Sequence, residues 1–231
     1  MDYTRQETLE KCQKALIDIK TFYKTSMVNY RGKTSDTKEY YTEIIAEFIC
    51  NHIELFRTTI SVTTRESSYK TASHIGVFSE SSNRIEELTA MKMFNQSKEG
   101  HIYNSIGEII DYQTPLKSTR KDVAGKVDLL AYDGSILRIL ELKKPDSEET
   151  MLRCVLEGYT YMKTANSEKM ISNFTLPQDT IIKASPLVFL GGIQHKEMKE
   201  DRQWLRQLMI LLDSVPFYIS IESGKYIVKE G

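Results

Sequence analysis

Two apolar runs, Val127–Tyr132 and Ile136–Leu142, are separated by Asp133-Gly134 and are apolar on both of their alternating faces. Val127, Leu129, Leu140 and Leu142 fall on one face, and Leu130, Leu137 and Ile139 on the other. A strand pair with one wet face would alternate apolar and polar residues, so this pair belongs inside a sheet covered on both sides by helices. That constraint makes three charges conspicuous: Asp128 inside Val-Asp-Leu-Leu, and Glu141 and Lys143 inside Ile-Leu-Glu-Leu-Lys. A charge in such a strand is costly unless it is paired or used.

The flanking periods extend the sheet into an ordered core. Asn83 is placed to cap a helix over 84–95, and 107–116 alternates as a strand ending near Pro115. After the hairpin, Pro145 stops the strand, and Ser147 with Thr150 opens a helix reaching about Thr164. A strand at 187–190, a helix over 199–212 and a strand at 217–222 that pairs back through Gly224 complete the chain. The expected fold is α/β, a mixed sheet sandwiched by helices in the order α-β-β-β-α-β. Upstream, apolar positions at helical spacing (Leu9, Cys12, Leu16, Ile19, Tyr23, then Ile44 to Ile53) predict two helices of roughly 15–20 residues. They form an N-terminal helical extension, residues 1–65, joined by a Ser/Thr-rich stretch to the α/β domain, 66–231.

If Asp133-Gly134 forms a two-residue turn, Tyr132 pairs with Ser135 and Asp128 lies opposite Ile139, on the face of Glu141 and Lys143 and diagonal to Glu141. Diagonal cross-strand neighbours are about 7–8 Å apart, within reach of one shared cation. Two carboxylates on a buried face suit a hard divalent ion, Mg²⁺ or Mn²⁺, whose open positions take water and phosphate oxygens. Lys143 can then orient or help deprotonate an attacking water and offset charge developing on the phosphate.

Gly125-Lys126-Val127-Asp128-Leu129-Leu130 with Glu141-Leu142-Lys143, in this element order, resembles the PD-(D/E)XK nuclease superfamily over about 83–222. The resemblance implies a metal-dependent nuclease acting on DNA, with RNA not excluded. It makes Asp128, Glu141 and the backbone carbonyl of Leu142 metal ligands, Lys143 the catalytic lysine, and Glu86 or Glu87, Glu87 favoured, an added acid. Two positions depart from the family pattern: Val127 replaces the proline, and Glu157-x-x-x-Tyr161 stands where some recombination-type members carry Gln-x-x-x-Tyr.

Basic and acidic residues nearly cancel over the whole chain, 31 Lys and Arg against 32 Asp and Glu, so a polyanion must be held by a local patch. Lys117, Arg120, Lys121 and Lys126 provide one before the Asp128 strand, with Lys144, Arg153 and Tyr161 as further nucleic-acid contacts. The stripe Thr150, Arg153, Glu157, Tyr161, Thr164 reads either as solvated surface or as a wall of the site. The competing reading of the charged trio is an ion-pair cluster on a catalytically inactive nuclease-fold module that binds nucleic acid or a protein. Three scattered cysteines fit a reducing cytoplasm, no apolar run approaches a membrane span, and the N-terminal helices offer a homo-oligomer surface.

Overall fold

The computed structural model describes residues 2–76, 84–117 and 125–231. Among them are α1 (Arg5–Ala15), α2 (Tyr41–Asn51), α3 (Ile53–Thr59), α4 (Ile85–Lys98), β1 (Glu108–Pro115), β2 (Lys126–Tyr132) and β3 (Ile136–Leu142). There follow α5 (Met151–Thr164), α6 (Ser167–Asn173), β4 (Ile181–Phe189), α7 (Ile193–Lys199), α8 (Gln203–Leu211), β5 (Phe217–Glu222) and β6 (Lys225–Glu230). The six strands form one sheet in sequence order, β1-β2-β3-β4-β5-β6. The β3–β4 and β4–β5 pairs are parallel and the others antiparallel. The fold is therefore the expected α/β architecture, a mixed sheet flanked by helices, with α4-β1-β2-β3-α5-β4 in the expected order.

Helices cover both faces because both faces are apolar. On one, Leu130, Leu137 and Ile139 pack with Leu152, Val155 and Leu156 of α5 and Leu205 and Leu208 of α8. On the other, Leu129, Leu140 and Leu187 pack with Ala90, Met93 and Phe94 of α4. Phe22, Ile45, Ile49 and Phe56 belong to the same core as α5 and α8, so the first sixty residues are a layer of the domain and share its core. Among the described residues no helix is long and apolar enough to cross a membrane.

The first predicted helix is shorter than its periodicity suggests. After Ala15 the chain runs as a 3₁₀ segment over Leu16–Lys24 with a non-helical Asp18, whose carboxylate accepts the Thr21 hydroxyl at 2.8 Å. A short polar side chain that binds its own neighbourhood competes with the helix there. The helix predicted over 199–212 begins only at Gln203, and Lys199 instead ends the separate helix α7, the two parted at Glu200–Arg202. Arg202 is buried at the break, its guanidinium 3.4 Å from the Tyr40 ring centre and 2.8 Å from the Thr42 hydroxyl. Those contacts hold the chain away from a continuous helix. The α4 helix begins at Ile85 with Arg84 at its cap position, and Asn83, the expected cap, lies outside the described residues.

Candidate active site

The β2–β3 register departs from the sequence expectation by two residues, with Tyr132 paired to Leu137 and Leu129 to Leu140. Asp133 is the cause. Its Oδ1 accepts the backbone N–H groups of Ser135 at 3.0 Å and Ile136 at 2.8 Å, building a longer connection than a two-residue turn. An even slip by itself leaves every side chain on its face, and it moves Asp128 in register from diagonal to opposite Glu141.

The ladder opens at that step. Gln113, across from Asp128 on β1, adopts a left-handed backbone (φ 49°), and its Nε2 donates to Asp128 Oδ1 at 3.0 Å. The other Asp128 oxygen accepts the Leu142 N–H at 2.9 Å, occupying a group that the parting strands leave without a ladder partner. Val127 consequently joins the α5-side core, whereas Leu129 joins the α4-side core. Asp128 thus stands at a seam in the sheet, half-buried, lining a cleft of about 400 Å³ with Glu86, Glu87, Gln113 and Lys144.

Glu141 faces α5 and packs beside Gly158, where an added Cβ would make only an ordinary 3.5 Å contact with that of Glu141. Lys143 donates to Glu141 at 2.7 Å and lies 2.7 Å from Glu149 and 3.4 Å from Glu157. Glu157 also takes the Arg153 Nε at 3.2 Å and the Tyr161 hydroxyl at 2.9 Å. The polar stripe of α5 therefore faces the buried lysine, with Glu157 and Tyr161 buried.

Charge does not balance in this cluster. Asp128, Glu141, Glu149 and Glu157 are four carboxylates against two cations, Lys143 and Arg153. Burial pushes the Asp128 carboxyl up to about 7, against the pull of Lys143 and the Leu142 N–H. Burial likewise raises Glu141 well above the carboxylate range, and Lys143 only partly offsets it. Glu157 goes the other way; although burial works against its charge, Lys143, Arg153 and the Tyr161 hydroxyl hold it below that range. Burial also opposes the Lys143 ammonium, but the surrounding carboxylates, Glu141 foremost, outweigh it and raise its pKa. A site of this kind takes up a proton or a cation.

The donor set fits a divalent ion in one specific respect. Glu141 is 4% exposed, and its Oε2 is buried without a hydrogen-bond partner while its Oε1 holds Lys143. A buried carboxylate oxygen left unpaired is costly, and a cation is the ligand that satisfies it. Among the described residues no group of three or more His, Cys, Asp or Glu side chains is arranged to hold a metal by side chains alone. The ligand set that the resemblance implies is Asp128, Glu141 and the Leu142 backbone carbonyl, with Glu87 or Glu86 as an added acid.

Other expected residues fall differently. Of the two acids on α4, the sequence favours Glu87, yet Glu86 is the one that accepts the Lys144 N–H, at 3.1 Å, and adds to the field on Asp128. Glu87 is engaged by Arg84 at 3.2 Å on the same cleft. Arg153 and Tyr161, expected to touch nucleic acid, are turned inward. Arg153 stacks 4.8 Å over the Tyr23 ring and donates to the Tyr23 carbonyl, and Tyr161 packs edge-on against Tyr23 with its hydroxyl on Glu157. They brace the cluster. Tyr161 also packs close to Gly125, where a Cβ would fall 2.3 Å from its hydroxyl oxygen, so glycine is needed at the entry to β2. Lys126 is exposed, Lys117 is half-buried with its carbonyl accepting Arg65, and Arg120 and Lys121 lie outside the described residues. Glu149 and Gln113 do not stand out in the sequence. The Glu148-Glu149 pair just after Lys144 is a signal for the first; Gln113 has none, since its role depends on a backbone kink.

No family model, no curated protein and no solved structure matches this chain.

Proposed function

We propose that the protein is a metal-dependent nuclease that hydrolyses phosphodiester bonds of DNA. The observation that carries this reading is the partnerless buried Oε2 of Glu141, in a cluster with more carboxylates than cations beside a lysine fixed as an ammonium. The order of elements and the Asp128, Glu141-x-Lys143 spacing supply the resemblance to PD-(D/E)XK nucleases. Asp128, Glu141 and the Leu142 carbonyl would hold Mg²⁺ or Mn²⁺, which when bound supplies Lewis-acid polarisation of the phosphate and a more acidic water. Asp128 is oriented for this by Gln113, which fixes one oxygen while Leu142 N–H fixes the other.

Lys143 serves as a fixed positive charge. A lysine accepts a proton only when neutral, and the raised pKa here keeps it charged. Its part is to orient the attacking water and to offset negative charge on the phosphate as the bond breaks. Glu157 and Glu149 hold the ammonium in place, and Arg153 and Tyr161 hold Glu157.

Calorimetric titration with Mg²⁺ and with Mn²⁺ tests the ligand set. Saturable binding is expected in the native chain, and Glu141→Gln should weaken it by about 10–100-fold or more, the range typical of altering groups in or around a metal site. Equal affinity in the native protein and Glu141→Gln would contradict the assignment and favour the non-catalytic module.

A further inference from the structure

We infer that Arg31, a residue of the N-terminal layer, is a phosphate-gripping residue of the cleft, and that Glu148 occupies its guanidinium until substrate arrives. The inference rests on the nuclease reading and extends it to a residue outside the α-β-β-β-α-β core.

Arg31 is brought to the site by a clasp between distant parts of the chain. The 3₁₀ turn Ser26–Asn29 lies against the start of α5, where the Thr150 hydroxyl donates to the Val28 carbonyl and the Thr150 N–H donates to Asn29 Oδ1 at 3.3 Å. Val28 is fully buried, which fixes the turn, and Arg31 follows it by three residues. Arg31 lines one cleft of about 500 Å³ together with Lys143, Lys144, Glu86, Glu148 and Glu149. The N-terminal layer therefore forms a wall of the cleft beside the charged cluster.

Two cations of this cleft, Arg31 and Lys144, differ from the buried Lys143 in being easy to recruit. Arg31 is 46% exposed and reaches Glu148 at 3.5 Å, and that glutamate is 80% exposed. Lys144 is 41% exposed and reaches Asp146 at 3.3 Å, and that aspartate is 73% exposed. Exposed pairs at such distances contribute little to stability, so exchanging the carboxylate for another anion costs little. A phosphodiester oxygen pair matches the guanidinium fork, and binding it releases counterions from the DNA. Meanwhile the acidic residues Glu86 and Glu149 repel an uncompensated polyanion, so cations on the cleft are needed to hold the strand over them. Arg31 and Lys144 do this for phosphates flanking the one that reacts.

Binding of a fluorescent DNA oligonucleotide by the full chain, followed by anisotropy at two salt concentrations with Ca²⁺ in place of Mg²⁺, tests the inference without relying on turnover. Arg31→Ala should weaken binding by about tenfold and reduce the salt dependence by about one phosphate contact, with Arg31→Lys recovering part of the loss. Glu148→Gln should change affinity in the opposite sense, tightening binding several-fold, on the order of one weak surface ion pair. That gain is not expected of a residue that only supports the fold. Unfolding midpoints should be unaffected in all three, since both side chains are exposed. Native affinity in Arg31→Ala, or unchanged or weaker binding in Glu148→Gln, would overturn the inference while leaving the nuclease reading standing. Absence of DNA binding by the native chain would overturn both.

Discussion

Lys143→Ala is expected to lower single-turnover cleavage by about 10²–10³-fold, the range for losing one preorganised electrostatic group, while DNA binding is nearly kept. Lys144→Ala, one residue along the same segment, should leave the chemical step intact, weaken binding and reduce the salt dependence by about one phosphate. The two lysines carry the same charge in different surroundings. Lys143 is 6% exposed among Glu141, Glu149 and Glu157, whereas Lys144 is partly exposed and faces an exposed aspartate. Their effects on stability should diverge as well. Removing one partner of a buried ion pair typically costs about 3–5 kcal/mol, because the carboxylates it served are left uncompensated. Lys143→Met with Glu141→Gln, which removes the lysine together with its most buried carboxylate partner, should recover part of that stability and none of the rate. Circular dichroism before each assay separates loss of fold from loss of chemistry. Equal rate losses in the two lysine variants, or full activity in Lys143→Ala, would remove Lys143 from the mechanism.

Stability without divalent metal should fall as pH rises from about 4 to about 8. Asp128 titrates near 7 in the folded chain against 3.8 ordinarily, because burial disfavours its charge. Its folded-state pKa is raised, so its contribution to stability is fully present below about 4 and is lost as pH rises through about 7. Glu141, also raised by burial, acts in the same direction. Asp133 opposes them only at acid pH. Despite the cost of partial burial, Arg138 and two backbone N–H groups hold it at about 2, so its contribution is present above 3.8 and lost below that. Glu157, lowered as well, loses its contribution only as pH falls through the carboxylate range. At about 1.36 kcal/mol per tenfold change in proton affinity, and discounting for the half-buried setting of Asp128, the loss is about 2 kcal/mol. A divalent ion needs ionised ligands, so added Mg²⁺ should stabilise the fold more at about pH 8 than at about pH 5. Urea unfolding at both pH values, in EDTA and in Mg²⁺, measures this. A flat profile in EDTA, or an equal Mg²⁺ effect at both pH values, would contradict the charge imbalance on which the site depends.

What can be read from sequence follows from how local each determinant is. The doubly apolar runs 127–132 and 136–142 require a covered sheet, and the sheet is covered by α4 on one side and by α5, α8 and the N-terminal layer on the other. The β2–β3 register differs from expectation because Asp133-Gly134 matches a two-residue turn, while the Asp133 carboxylate in fact gathers Ser135 and Ile136. The even slip preserves the facing of Glu141 and Lys143, but the alternation breaks at Asp128, between Val127 on the α5 side and Leu129 on the α4 side. The strand break at Asp128 is invisible in sequence, since it depends on the left-handed Gln113 on another strand. Arg31 and Asn29 carry no signal either: they reach the cleft through contacts to Thr150 and Glu148, more than a hundred residues away. Periodicity reports which face a side chain takes, and it is silent about such distant clasps.

The most direct measurement is strand cleavage of circular and linear DNA by the native chain and Asp128→Asn, each in Mg²⁺ and in EDTA. Asp128→Asn keeps the size of the residue and, with the Gln113 amide turned over to accept from the new NH2, both of its hydrogen-bond contacts, while removing its charge. The expected result is cleavage by the native chain in Mg²⁺ alone, abolished by EDTA and reduced at least about 10²-fold in the variant. Intact DNA with the native chain in Mg²⁺, or equal cleavage by the Asp128→Asn variant, would contradict a metal-dependent nuclease centred on Asp128 and Glu141.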